Sequence, residues 1–326
     1  IWDDHETASD SWKTGAENHN KGEGDWDTRR ANAMQAYYEW MPIRDPKPGQ
    51  AREALFRNYE FGDLFSLTSI ETRLTARTRA IDYARHMESF KTRKGIENFY
   101  KTVLHDPTNE MMGQTQQAFV ENALKTSKNK GLTWRLIANQ ILMGRINTPD
   151  LTSYEDEDFI TELEKLAPQI RDFIKISPLG LPLNPDAWDG YPQARERFYQ
   201  MVQNQNVRDL LVLTGDTHDC WVNTLETASG TSMGIELGTS GVTSPGTGTY
   251  FASAAQDFSK RLSAKNPGIL YHENQYHGYI DLSLTHEQGQ VDFVNVDTVY
   301  TPKYKTFISK SIKLSKHDET LKVDEV

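Results

Sequence analysis

The feature that most limits what this chain can become is a short apolar run, Val207 and Leu210 to Leu213, that ends in Thr214-Gly215-Asp216-Thr217-His218-Asp219. Such a run reads as a buried strand. Asp216 and His218 then lie just beyond its carboxyl end, where open α/β sheets place their ligands.

A second polar cluster opens the chain. Ile1-Trp2 is followed without a spacer by Asp3-Asp4-His5-Glu6. Carboxylates crowded this closely repel one another unless a cation neutralises them, and hard cations take carboxylate oxygen while borderline ones take imidazole nitrogen. The alternative for Asp-Asp-His-Glu is a helix start, where acidic residues suit the dipole. Two acidic, histidine-containing clusters, each behind an apolar segment, point to one metal site built from strand ends.

With 326 residues the chain can bury a large core, as one α/β domain or two smaller ones. Its formal charge of −10 argues against nucleic acid as the main partner. A small phosphate ester is compatible with it, because metals would set the local charge of a site. No apolar run reaches the length that spans a bilayer. Cys220 is the one cysteine, so no internal disulfide can form. Ile1-Trp2 reads as the tail of a strand whose beginning is absent, so a fragment or processed form is expected, with any targeting segment upstream.

Along the chain, residues 7–26 read as a polar, glycine-containing loop. A helix follows to about Trp40, capped by Asp25 or Asp27, with Ala31, Met34, Tyr37, Tyr38 and Met41 as its core stripe. Arg29 and Arg30 lie in its first turn, either on a solvated face or as a phosphate clamp. Strands are expected at 57–61, 64–74, 133–138, 207–213, 232–237, 279–284 and 291–296. Helices are expected at 114–128, 155–174, 193–203 and 251–262. Asn139-Gln140 stand at the carboxyl end of their strand, as the other clusters do. Residues 1–309 form the main domain in this reading, and 310–326 a charged, frayed tail.

Taken in order, several motifs resemble the alkaline phosphatase D (PhoD-like) family of metallophosphatases. They are Trp2-Asp3-Asp4-His5-Glu6, Gly15-Ala16-Glu17-Asn18, and Arg29-Arg30 with Ala36-Tyr37-Tyr38-Glu39-Trp40-Met41-Pro42. Phe61-Gly62-Asp63-Leu64 follows, leading to Glu71-Thr72-Arg73; then Gln117 ahead of Thr133-Trp134 and Asn139-Gln140. Trp188-Asp189-Gly190-Tyr191, Gly215-Asp216-Thr217-His218 and Thr243-Ser244-Pro245-Gly246 complete the set.

The resemblance implies a calcineurin-like α/β fold: two packed mixed β-sheets flanked by helices, metals at the strand ends. It implies hydrolysis of phosphate monoesters and diesters by attack of a metal-bound hydroxide, iron and calcium as cofactors, and export to the periplasm or outside the cell. By it, Asp4, Asp216 and His218 are metal ligands, His5 a transition-state or leaving-group contact and general acid, and Arg29 or Arg30 the holder of a phosphate oxygen. Asp3, Glu6, Ser9, Asn139 and Gln140 would support the ligands from behind. The substrate would be a small phosphate ester and the protein a monomer.

Two departures stand out. The family often has Asn where this chain has Ser9, and its earlier strand, with further iron ligands, should precede Ile1. A fragment or degenerate, non-catalytic relative with an incomplete site is therefore the competing expectation. A metal-dependent hydrolase of a non-phosphate ester is the third.

Overall fold

The computed structural model describes residues 1–154 and 156–325. Eleven strands are assigned among them: β1 (Arg57–Phe61), β2 (Phe65–Ser69), β3 (Trp134–Ala138), β4 (Leu210–Thr214), β5 (Cys220–Glu226), β6 (Ser232–Gly238), β7 (Ile269–Glu273), β8 (His277–Leu284), β9 (Gly289–Val296), β10 (Thr306–His317) and β11 (Thr320–Glu325). The α-helices are α1 (Trp26–Trp40), α2 (Arg93–Phe99), α3 (Gly113–Asn129), α4 (Glu157–Leu166), α5 (Ile170–Ile176), α6 (Pro192–Asn204), α7 (Thr247–Phe251) and α8 (Ala255–Lys265).

The first seven strands form one mixed sheet in the order β1-β2-β3-β4-β6-β5-β7. Its centre is parallel: β2 with β3, β3 with β4, and β4 with β6. Successive side chains alternate sides. Leu136 and Leu211 pack toward the second sheet, while Ile137, Leu210 and Val212 pack against α3 and α6 through Val120, Leu124, Phe198 and Val202. Both faces are covered, and the central strand β4 is apolar at four successive positions, Leu210 to Leu213, rather than at every second one.

The second sheet, β11-β10-β9-β8, is wholly antiparallel rather than mixed. Val291, Phe293, Ile312, Leu314 and Leu321 fill the space between the sheets. The frayed tail expected from Lys310 onward is thereby corrected, because residues 306–317 and 320–325 are strands. The charges there misled: Ile312 and Leu314 point inward while Lys313 between them is exposed, the period-two pattern of a sheet with one face in the core.

Other expectations shift for local reasons. The 155–174 helix is two helices, α4 and α5, with Pro168 in the break; its expected start at Glu155 lies outside the described residues. Of the α1 stripe, Met34 and Tyr37 are buried, but Ala31 and Met41 are exposed. Periodicity marks no strand at β5 or β7. In β5 the interior position Asn223 is polar and bonded to Glu236 of the neighbouring strand, with Nδ2 donating to Oε2 at 2.9 Å.

The β2 strand stops at Ser69, short of the expected Leu74, because the Glu71 carboxylate turns the chain. Its Oε1 accepts from the Arg73 and Leu74 amides at 2.7 Å each, and its Oε2 from the Thr75 amide at 2.9 Å. The parallel strands β2, β3, β4 and β6 all run the same way. Their carboxyl ends therefore deliver four loops, beginning at Ile70, Asn139, Gly215 and Thr239, to one edge of the sheet.

Candidate metal centre

At that edge Asp3, Asp4 and Asp216 each bring one carboxylate oxygen within 4.8 Å of the others. The opening residues reach the sheet because Trp2 is anchored. Its indole is buried against Tyr37 of α1, edge to face at 5.4 Å, and its Nε1 donates to Glu71 Oε1 at 3.2 Å. The Asp-Asp-His-Glu segment is a tight turn and not a helix start: the Asp4 carbonyl accepts from the Thr7 and Ala8 amides, both at 2.9 Å. The backbone of Asp10 then donates to Asp4 Oδ2 at 2.8 Å.

Asp10, Asp216 and His218 have φ of +48°, +71° and +60°. That left-handed region is costly for a side-chain-bearing residue and clusters at functional sites.

The electrostatics are those of crowded anions. Burial, and then the neighbouring Asp3 charge, pushes the Asp216 carboxyl well above the usual carboxylate range. Burial likewise raises Asp3, against the pull of Arg73. Asp10 is pushed up to about 7, chiefly by burial and then by Asp186.

Two basic side chains with no exposure answer this. Arg73 donates from Nη2 to Asp3 Oδ1 at 3.0 Å and Asp216 Oδ1 at 3.1 Å, and from Nη1 to Asp186 Oδ2 at 2.6 Å. Arg77 pairs with the other oxygen of Asp186. These two arginines hold the Asp186 carboxyl below its ordinary value despite complete burial, which pushes the other way.

His218 lies two residues beyond Asp216 and outside that cluster of three carboxylates. Its Nδ1 sits 2.9 Å from the Pro245 carbonyl oxygen, which only accepts, so Nδ1 carries the proton. That bond leaves Nε2 as the nitrogen a metal would take, the arrangement of a metal-binding histidine. The loop carrying Pro245 is pinned: buried Asp219 accepts from the Thr247 amide at 3.0 Å and hydroxyl at 2.5 Å, and His277 donates to the Ser244 carbonyl at 2.9 Å. Gly246 at the end of this loop is buried, while Val242 to Pro245 are exposed. A Cβ on Gly246 would lie 2.3 Å from Asp219 Oδ1.

The remaining expected site residues divide. His5 is exposed, its Nε2 3.7 Å from Asp4 Oδ2. Glu6 accepts from the Asp3 amide at 2.9 Å and so shapes the turn. The Ser9 amide donates to Asn18 at 2.9 Å, an internal loop bond. Arg29 rests on the same turn through the Thr7 carbonyl at 3.2 Å and is also 3.5 Å from Glu23. Arg30 is drawn away from the cluster, to the Lys13 carbonyl at 2.8 Å and to Asp27 and Glu53.

Asn139 turns inward to Trp188 and the Ile141 carbonyl. Gln140 accepts from the Thr72 hydroxyl, and its own carbonyl accepts from the Gly215 amide at 3.0 Å. This pair supports the loops and not the ligands directly. Asp3, expected only as support, belongs to the cluster itself. Sequence reasoning assigned no role to Arg73, Asp186 or Asp10. Arg73 lies inside a motif it noted, but nothing local says that a loop arginine will be buried.

The donor set suits a metal. Three carboxylates converge, and Arg73 and the Asp10 amide occupy one oxygen of each, leaving Asp3 Oδ2, Asp4 Oδ1 and Asp216 Oδ2 with no hydrogen bond from a described residue. Oxygen-rich sites of this kind take hard cations, and an adjacent imidazole admits a borderline one.

The family model described as PhoD-like phosphatase matches residues 1–293. Alkaline phosphatase D of Bacillus subtilis (strain 168) is 28% identical over 298 residues, covering 90% of this chain and 43% of that protein. The solved structure titled "Structure of PhoD" superposes with a TM-score of 0.71 at 22% identity, covering 100% of this chain and 54% of that one. The chain thus spans about half the length of the relatives it matches. On these matches, the chain belongs to the PhoD-like phosphatase family.

Proposed function

We propose that this chain carries the catalytic site of a phosphate-ester hydrolase acting on phosphomonoesters and phosphodiesters, with iron and calcium as its cations. The observation that carries the proposal is the convergence of Asp3, Asp4 and Asp216 within 4.8 Å at the strand ends of a PhoD-like chain. Their free oxygens would hold one cation, and His218 Nε2 offers a nitrogen donor beside them. Cations bound there supply charge neutralisation for the phosphoryl group and an acidified water.

The chain's own residues would do the rest. Arg29, seated on the Thr7 carbonyl, would meet a phosphoryl oxygen. Arg30 is less suited, since its guanidinium is already committed to Asp27 and Glu53. His5, exposed next to Asp4, can give a proton to the departing alkoxide. No helix among the described residues is long and apolar enough to cross a membrane; export to the periplasm or exterior is part of the proposal, by family likeness.

One observation favours a second reading. Among the described residues only one group of three carboxylates converges, which suits one cation better than two. A non-catalytic relative would look the same. Metal analysis of the purified chain, with turnover of p-nitrophenyl phosphate, bis-p-nitrophenyl phosphate and p-nitrophenyl acetate, separates these. Stoichiometric metal with phosphoester turnover that Asp216→Asn and His218→Ala abolish is the expected outcome. Metal-free protein, or turnover of the acetate alone, would refute it.

A further inference from the structure

The proposed centre needs cations, yet its aspartates already surround one. The Arg73 side chain has no exposure, and its guanidinium meets three different carboxylates: Asp3 at 3.0 Å and, from Nε, 3.1 Å; Asp216 at 3.1 Å; and Asp186 at 2.6 Å. Desolvating each added ion is costly unless hydrogen bonds compensate. Here the backbone at Arg73 is fixed by Glu71, and Asp186 is fixed by Arg77, so the fork cannot drift toward solvent.

Counting charges, Asp3, Asp4, Asp186 and Asp216 carry −4 when ionised and Arg73 and Arg77 carry +2, leaving −2, the charge one divalent ion cancels.

We propose that Arg73 is a resident counter-cation: it holds Asp3 and Asp216 together before any metal arrives, through one oxygen of each, leaving the other oxygen of each without a hydrogen bond from a described residue. This rests on taking the three-aspartate cluster as the cation site, but it concerns the metal-free protein. Arg73 is a positioning residue in this account, since it need not touch substrate. Arg77 is the internal comparison, because it is equally buried and charged yet pairs with Asp186 alone among the four aspartates.

The test is a set of urea denaturations of the full chain in excess chelator. Arg73→Met should lower the folded-to-unfolded ratio at least a hundredfold. In an Asp3→Asn/Asp216→Asn background, where the repulsion it answers is gone, the same change should cost tenfold or less. Arg77→Met should cost the same in both backgrounds. Millimolar calcium should raise the unfolding midpoint of Arg73→Met more than that of the unaltered chain.

Equal losses for Arg73→Met in the two backgrounds would overturn the proposal. If Arg73→Met alone does not fold, the triple variant Arg73→Met/Asp3→Asn/Asp216→Asn should; its failure to fold overturns the proposal too. The chelator arms require neither bound metal nor turnover. A wild-type chain that binds no calcium but shows the background-dependent loss would sink the proposed function and leave the arginine's role standing.

Discussion

Replacing Glu71 by Gln tests whether one buried carboxylate ties the opening cluster to the sheet. Glu71 is 1% exposed and accepts five hydrogen bonds. Oε1 takes Trp2 Nε1 and the Arg73 and Leu74 amides; Oε2 takes the Thr75 amide and hydroxyl. Gln keeps the shape and one acceptor oxygen. In its best orientation that oxygen still meets the three donors of Oε1, now without charge assistance, which lowers each by about 1 kcal/mol. The new NH2 faces the Thr75 amide, donor against donor, and an unsatisfied buried donor costs about 1–3 kcal/mol.

The straight sum is about 4–6 kcal/mol. Three donors sharing one oxygen are each weaker than a lone bond, so about 2–4 kcal/mol is the expected loss. At 3 kcal/mol the folded-to-unfolded ratio falls by roughly 150-fold, at about 1.4 kcal/mol per decade. The assay is urea denaturation followed by tryptophan fluorescence. A loss below about 0.5 kcal/mol, the scale of ordinary surface changes, would refute the claim that Glu71 organises this turn.

Three further outcomes follow from separate parts of the structure. Gly234→Ala should destabilise by about 3 kcal/mol or more, because its φ is +144° and the added Cβ would lie 1.9 Å from the Leu210 carbonyl oxygen of the paired strand; thermal melting measures it, and a wild-type midpoint contradicts the clash. Arg195→Met should cost about 3–5 kcal/mol by stranding Asp189, which is fully buried and whose partners are Arg195 at 2.6 Å and the Ile146 amide at 2.7 Å; the double variant with Asp189→Asn should recover part of that loss in the same denaturation. Thr247→Val removes the hydroxyl on Asp219 that steadies the loop holding His218, so calorimetric metal affinity should fall about tenfold while the folded state persists; unchanged affinity means the loop does not orient the histidine.

How legible each feature was depended on whether its cause is local. The β4 strand is readable because two covered faces demand an unbroken apolar run, and the chain shows one at Leu210–Leu213. The cap of α1 by Asp25, whose carboxylate accepts from the Thr28 amide at 2.9 Å, is readable for the same reason: cap and helix are neighbours in sequence. The tail misread because its charged residues outweigh in composition the Ile312 and Leu314 that decide its position; of the β10 lysines Lys313 is exposed, whereas Lys316 turns to Asp209 at 2.7 Å. Arg73 and Arg30 could not be told apart in kind. One is wholly buried among three aspartates from distant segments and the other is held at the surface by Lys13, Asp27 and Glu53.

The order of the motifs carried the family, and the apolar period carried the central strands, because both are properties of neighbouring residues. Which side chains share the centre was settled by packing across the chain. Asp3 and Asp216 meet 213 positions apart because parallel strands bring their carboxyl ends to one edge and Trp2 is locked onto Glu71 there. Charge balance in a buried site is a sum over everything within a few ångströms, and proximity of that kind exists only once the sheet has formed.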